Sequence, residues 1–130
     1  MPVTLQQMMA EANAAVERIS VEEAQKKLEE GALLLDIRDA TELSASGRVA
    51  GSHHVSRGML EFRADPASPF HDSTFSKDRT ILLHCASGGR AALAGKLLKD
   101  MGYASVYNTG GLSDWATAGA MIEEPVDPGM

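Results

Sequence analysis

Apolar residues fall along this chain in two kinds of run. Ser105, Val106 and Tyr107 read as a short last strand, and Leu33, Leu34, Leu35 and Ile37, then Ile81, Leu82 and Leu83, are short and nearly continuous. That pattern belongs to strands buried on both faces of a parallel sheet. Other stretches carry helical spacing. Ala94, Leu97, Leu98 and Met101 fall at i, i+3, i+4 and i+7, and Gly102 is placed to end that helix. Leu5, Met8, Met9, Ala12, Val16 and Ile19 mark one face of an N-terminal amphipathic helix. Ser20-Val21-Glu22-Glu23 reads as a capping box, with Glu23 reaching back to the cap. The helix that it opens turns Ala24 and Leu28 inward and stops at Gly31.

Smaller signals complete the outline. A short strand is expected at His53–Val55, and a short helix from Arg57 to Ala64 around Met59, Leu60 and Phe62. Asp65 to Asp78, with Pro66 and Pro69, reads as a polar connection. Asn108-Thr109-Gly110-Gly111 reads as a turn, followed by a helix from Leu112 to Ala118 with Trp115 inward. Strands alternating with helices predict an α/β fold, a three-layer α/β/α arrangement on a mainly parallel sheet of about five strands. Residues 1–17 form a helical extension, 18–124 the domain proper, and the proline-containing end, 125–130, a frayed tail.

Composition narrows the function classes. The 130 residues carry a formal net charge of −6, which argues against nucleic acid or an anionic membrane as a partner. An acidic surface also requires any anion site to be made locally. One cysteine leaves no intrachain disulfide and fits a reducing compartment. The four histidines lack ligand spacing, and His53 and His54, adjacent on a strand, point to opposite faces. No metal site is expected. The first twenty residues have neither a basic leader nor a continuous apolar core, and no run approaches a membrane span of about 20 residues. The expectation is a cytoplasmic protein.

The chemistry concentrates where the central strand ends. Cys85-Ala86-Ser87-Gly88-Gly89-Arg90 joins that strand to the following helix. Small residues and two glycines let successive N–H groups converge into a nest, and the helix start adds partial positive charge. Such surroundings lower a cysteine pKa from about 8.5 into roughly the 3.5–7.5 range. The site is read as a nucleophilic Cys85 with Ala86, Ser87, Gly88, Gly89 and Arg90 as its substrate-binding loop. A second group, Asp36, Arg38 and Glu42, leaves a neighbouring strand at the same sheet edge, where ligands sit in open parallel sheets. Arg38 is placed to attract an anion. Opposite charges so close together more often brace one another, so Asp36 and Arg38 are read as a supporting ion pair. His54 is read as a hydrogen-bonded structural histidine.

Three stretches resemble the rhodanese-like sulfurtransferases: LLDIRDATEL, Cys-x-x-Gly-x-Arg at 85–90, and GYASVYNTGGLSDWATAG, in that order. Arg48, Ala50 and Ala91 depart from the residues usual in that family. The resemblance implies a Cys85 persulfide that takes sulfur from a small-molecule donor such as thiosulfate and passes it to cyanide or a thiol, with no cofactor. A protein thiol is a further acceptor that it allows. Arg90 either binds the donor or anchors the loop. Two other readings stand beside this one. A non-catalytic rhodanese-like interaction or sulfur-carrier module is the first. The second is a cysteine-dependent phosphatase or arsenate reductase, whose loop carries its arginine one position later than Arg90 stands here. The shorter loop has fewer N–H donors and suits a sulfur atom better than a tetrahedral phosphoryl group.

Overall fold

A computed structural model describes residues 2–124. The elements run α1 (Leu5–Ala15), β1 (Glu17–Arg18), α2 (Val21–Glu29), β2 (Leu33–Asp36), α3 (Ala40–Ser46), β3 (Arg48–Val49) and β4 (His53–His54). After a single 3-10 turn at Arg57–Met59 come α4 (Leu60–Ala64), β5 (Ile81–Cys85), α5 (Gly89–Asp100), β6 (Val106–Gly111), α6 (Leu112–Thr117) and β7 (Ile122–Glu123). Five strands form one wholly parallel sheet in the order β1-β6-β5-β2-β4. A small antiparallel pair, β3 with β7, lies apart from it.

β5 is the middle strand, and all five of its residues are buried. Alternation along it divides the core. Ile81, Leu83 and Cys85 face a cluster with Leu35, Leu60, Ala94, Leu98 and Tyr103. Leu82 faces the other way, with Leu34, Ala24, Val49 and Trp115. Helices therefore cover both faces, with α4 and α5 on one and α2 and α6 on the other. Each fully buried leucine contributes about 1.5–3 kcal/mol, so the layers are held chiefly by β2 and β5.

Three local expectations are corrected. The first helix stops at Ala15 instead of continuing to Ile19. Backbone pairing wins there: Glu17 and Arg18 join β6, and the Ile19 N–H donates to the Asn108 carbonyl at 3.0 Å. Ile19 is thereby carried to the Trp115 side of the sheet. Leu5 and Met8 remain exposed, and Ala12 and Val16 are the residues of the stripe that are buried close to α5. Asn108–Gly111 is not a turn, because β6 runs through to Gly111. Glu23 does not close the capping box; its carboxylate accepts from the Ser20 hydroxyl at 3.4 Å, while Ser20 caps the Glu23 N–H at 3.1 Å. The tail at 125–130 lies outside the described residues.

The end of α1 is tied closely to α5. A Cβ on Gly95 of α5 would lie 2.8 and 2.9 Å from the two Val16 methyl groups. Lys99 of α5 also donates to the Ala15 carbonyl at 2.8 Å, at the end of α1. Gly95→Ala should therefore lower the melting temperature, because overpacking of about 1–3 kcal/mol outweighs the gain of about 1 kcal/mol in helix propensity. In a Val16→Ala background the same change should become neutral or stabilising. Thermal melts of the two singles and the double check both signs.

Candidate active site

The end of β5 is shaped by what lies beside it on β6. Pairing between the two strands slips between Leu83 and Cys85, so that Cys85 faces Gly111. A side chain on Gly111 would run into the Ala86 carbonyl. Gly88 turns the loop into α5 with φ +106°, a value that favours glycine. The result curls the loop over the sulfur: the Gly88 N–H donates to Cys85 Sγ at 3.0 Å. Cys85 is 1% exposed, whereas Ala86 and Ser87 are exposed above it.

The β6 residues brace that curl. Asn108 Nδ2 donates to the Gly88 carbonyl at 2.9 Å, and its Oδ1 accepts from the Gly110 N–H at 2.9 Å. The Thr109 hydroxyl donates to the Leu83 carbonyl at 2.9 Å and accepts from Trp115 Nε1 at 3.0 Å. Asp114 of α6 accepts from the Gly111 N–H at 2.8 Å. Arg18 lies over the seam: its Nη1 is 2.8 Å from where a Gly88 Cβ would stand, and its Nη2 is 2.8 Å from the same point on Gly110. Sequence reasoning treated Asn108, Thr109, Gly110 and Gly111 as a turn, and passed over Asp114 and Arg18. The paired glycines at 110–111 were the available signal.

Arg90 sits in the first turn of α5 and reaches Glu42. The two make a double hydrogen bond, Nη1 to Oε2 and Nη2 to Oε1, each 2.8 Å. Glu42 Oε2 also accepts from the Asp39 N–H at 2.8 Å, fixing the start of α3. The Arg90 hydrogen bonds outweigh burial and hold the Glu42 carboxyl at about 2. Anchoring of the loop is thus the geometry seen for Arg90.

Asp36 and Arg38 form a separate buried pair. Arg38 Nη2 donates to Asp36 Oδ2 at 2.8 Å and to the Gly47 carbonyl at 2.7 Å, while Nη1 reaches the Ser46 hydroxyl at 3.1 Å. Arg38 is 2% exposed and Asp36 is fully buried. Burial pushes the Asp36 carboxyl up, but hydrogen bonding to Arg38 and nearby positive charge bring it below the usual carboxylate range. This pair fastens the end of β2 to the junction of α3 and β3, whereas Glu42 reaches the loop through Arg90. His84 Nε2 stops 3.6 Å from Asp36 Oδ2, and burial pushes the His84 pKa down despite that carboxylate. His54 Nε2 contacts the Arg38 carbonyl at 2.7 Å, and His53 Nε2 contacts Asp72 Oδ2 at 2.5 Å. Among the described residues no group of histidine, cysteine and carboxylate is arranged to hold a metal ion, and no helix is long and apolar enough to cross a membrane.

Residues 20–118 match the family model of the rhodanese-like domain. The chain belongs to the rhodanese-like family. A thiosulfate sulfurtransferase of Actinobacillus succinogenes is 30% identical over 95 residues, covering 72% of this chain and 78% of that protein. A Rhodopseudomonas palustris protein of unknown function, described as a possible tyrosine phosphatase, has a solved structure with a TM-score of 0.83 at 37% identity, covering 95% of this chain and 99% of its own. The polysulfide-sulfur transferase homodimer of Wolinella succinogenes gives 0.73 at 30% identity, covering 96% and 90%. The two transferases support sulfur transfer as the general activity of a rhodanese-like chain of this kind.

Two variants test the two ion pairs. Arg38→Ala leaves the Asp36 charge buried without its partner and should cost about 3–5 kcal/mol of stability, read as a fall in melting temperature. Glu42 has a folded pKa of about 2 against an ordinary 4.5, so its contribution is complete above pH 4.5 and disappears as pH falls toward 2. Asp72, also held at about 2, acts in much the same window. Glu42→Gln should therefore flatten, without abolishing, the fall of melting temperature between those pH values.

Proposed function

We propose that this chain is a sulfurtransferase that carries a sulfane sulfur as a persulfide on Cys85. The observation that carries the reading is the Gly88 N–H donated to Cys85 Sγ at 3.0 Å, beneath a loop only five positions long from Cys85 to Arg90. The positive end of the α5 dipole and that N–H both favour negative charge at sulfur. In the first half-reaction the Cys85 thiolate attacks the outer sulfur of thiosulfate. The Sγ–S bond forms, the S–S bond of the donor breaks, and its electron pair leaves on sulfite. In the second, cyanide or a thiolate attacks the terminal sulfur, and the electron pair of the persulfide bond returns to Cys85. No external oxidant or reductant enters, and the kinetics are ping-pong.

Ala86, Ser87, Gly88 and Gly89 form the wall that the donor meets, Arg90 holds that wall to Glu42, and Asp36 with Arg38 support the neighbouring strand. The acceptor is a small thiol, cyanide or a protein thiol. A single cysteine without a disulfide partner suits the reducing cytoplasm.

Cysteine-dependent phosphate chemistry is the second reading, favoured by the description of the Rhodopseudomonas palustris protein. Against it stand the short loop and the engagement of both Arg90 terminal nitrogens with Glu42. Intact-mass measurement separates the readings. Thiosulfate should add one sulfur atom to the native protein, and cyanide should remove it. Cys85→Ser should show neither adduct nor turnover, since a hydroxyl cannot form a persulfide. A glycine inserted between Gly88 and Arg90 should weaken sulfur loading. Aryl phosphate turnover by the native protein, with no sulfur adduct on Cys85, would overturn the assignment.

A further inference from the structure

We infer that Arg18, an edge-strand residue outside the segment matched by the family model, is the cation that selects the charge of the sulfur donor. The inference rests on the sulfur-transfer reading and adds a specificity-determining residue to it. A chain with net charge −6 repels a dianion at long range, so the loop needs a local cation to bring one in. Two guanidinium groups are associated with the loop. That of Arg90 is neutralised by two 2.8 Å hydrogen bonds to Glu42. That of Arg18 has no hydrogen bond to a carboxylate among the described residues. Its nearest is Asp114 Oδ2 at 3.7 Å, and that oxygen is already accepting from the Gly111 N–H.

Position supports the same assignment. The Arg18 side chain is 56% exposed, so its N–H groups meet solvent and any arriving ion. Its Nη1 lies 2.8 Å from the Gly88 Cβ site, and the Gly88 amide lies 3.0 Å from Sγ, which places the guanidinium within roughly 9 Å of the sulfur. That is no more than about one Debye length at ordinary salt, so the charge is felt at the sulfur. Arg18 also borders a cavity with Ser20, Thr109 and Ser113, in which it is the cation beside the carboxylates of Glu22 and Asp114. The absence of a side chain at Gly88 and at Gly110 is what lets the guanidinium come so close.

A pair of donors differing in one charge tests this. Thiosulfate is a dianion and methanethiosulfonate a monoanion; both surrender the same outer sulfur, one releasing sulfite and the other methanesulfinate. The rate constant for sulfur loading of Cys85 is read by rapid-quench intact mass at low ionic strength. Arg18→Gln should slow loading from thiosulfate about five- to tenfold and from methanethiosulfonate about twofold, and should flatten the salt dependence. Arg18→Lys, which keeps the charge, should retain the preference for the dianion. Equal losses with the two donors, no loss with either, or a lysine variant as poor as glutamine would overturn the role of Arg18. A native protein that loads sulfur from neither donor would overturn the sulfur-transfer reading itself, and this assignment with it.

Discussion

The approach of the Cys85 loop to the backbone of β6 is the constraint on which the site depends. Ala86 passes so near Gly111 that no side chain fits between them, whereas side chains at Gly88 and Gly110 would meet the Arg18 guanidinium. A loop pressed this close has its carbonyls and amides assigned to partners: Gly88 accepts from Asn108 through its carbonyl, and donates to the sulfur through its N–H. Because β6 is a central strand locked by Thr109 and Trp115, the curvature of the loop comes from a rigid element and not from the loop itself. Sites supported in this way keep their geometry without rearrangement when charge develops.

Charge around the site is partitioned by depth. The deepest cation, Arg38, is engaged by Asp36 and the α3–β3 junction and is buried out of a ligand's reach. At mid-depth Arg90 joins the start of α5 to the start of α3 through Glu42. At the rim the Arg18 guanidinium makes no hydrogen bond to a carboxylate among the described residues and stands 3.7 Å from Asp114. Buried pairs of this kind are weak evidence of stability, but removing one partner is costly, so they fix relative placement of the elements they join.

Much of this was legible in the residues. Continuous apolar runs located β2 and β5, and the five-position spacing from Cys85 to Arg90 located the loop, since both depend on local pattern. What escaped was set by partners distant in sequence. Val16 and Ile19 continue a helical stripe on paper, yet pairing of Glu17 and Arg18 with Tyr107 and Asn108 breaks the helix between them. Glycines 110 and 111 usually signal a turn; here they stay in the strand because the neighbouring loop needs the space. The assignment of Glu42 to Arg90, 48 positions away, and of Arg18 to Gly88 follows only from the order of strands, which no periodicity reveals.

The two edges of the main sheet are both only two residues long, Glu17–Arg18 on one side and His53–His54 on the other. One is made of charged residues; in the other, both histidines are engaged with Asp72 and the Arg38 carbonyl. Short edges with charged or polar side chains are poor templates for another strand. Growth of the sheet into a neighbouring molecule is thereby disfavoured in both directions, which works against edge-to-edge aggregation of a concentrated protein.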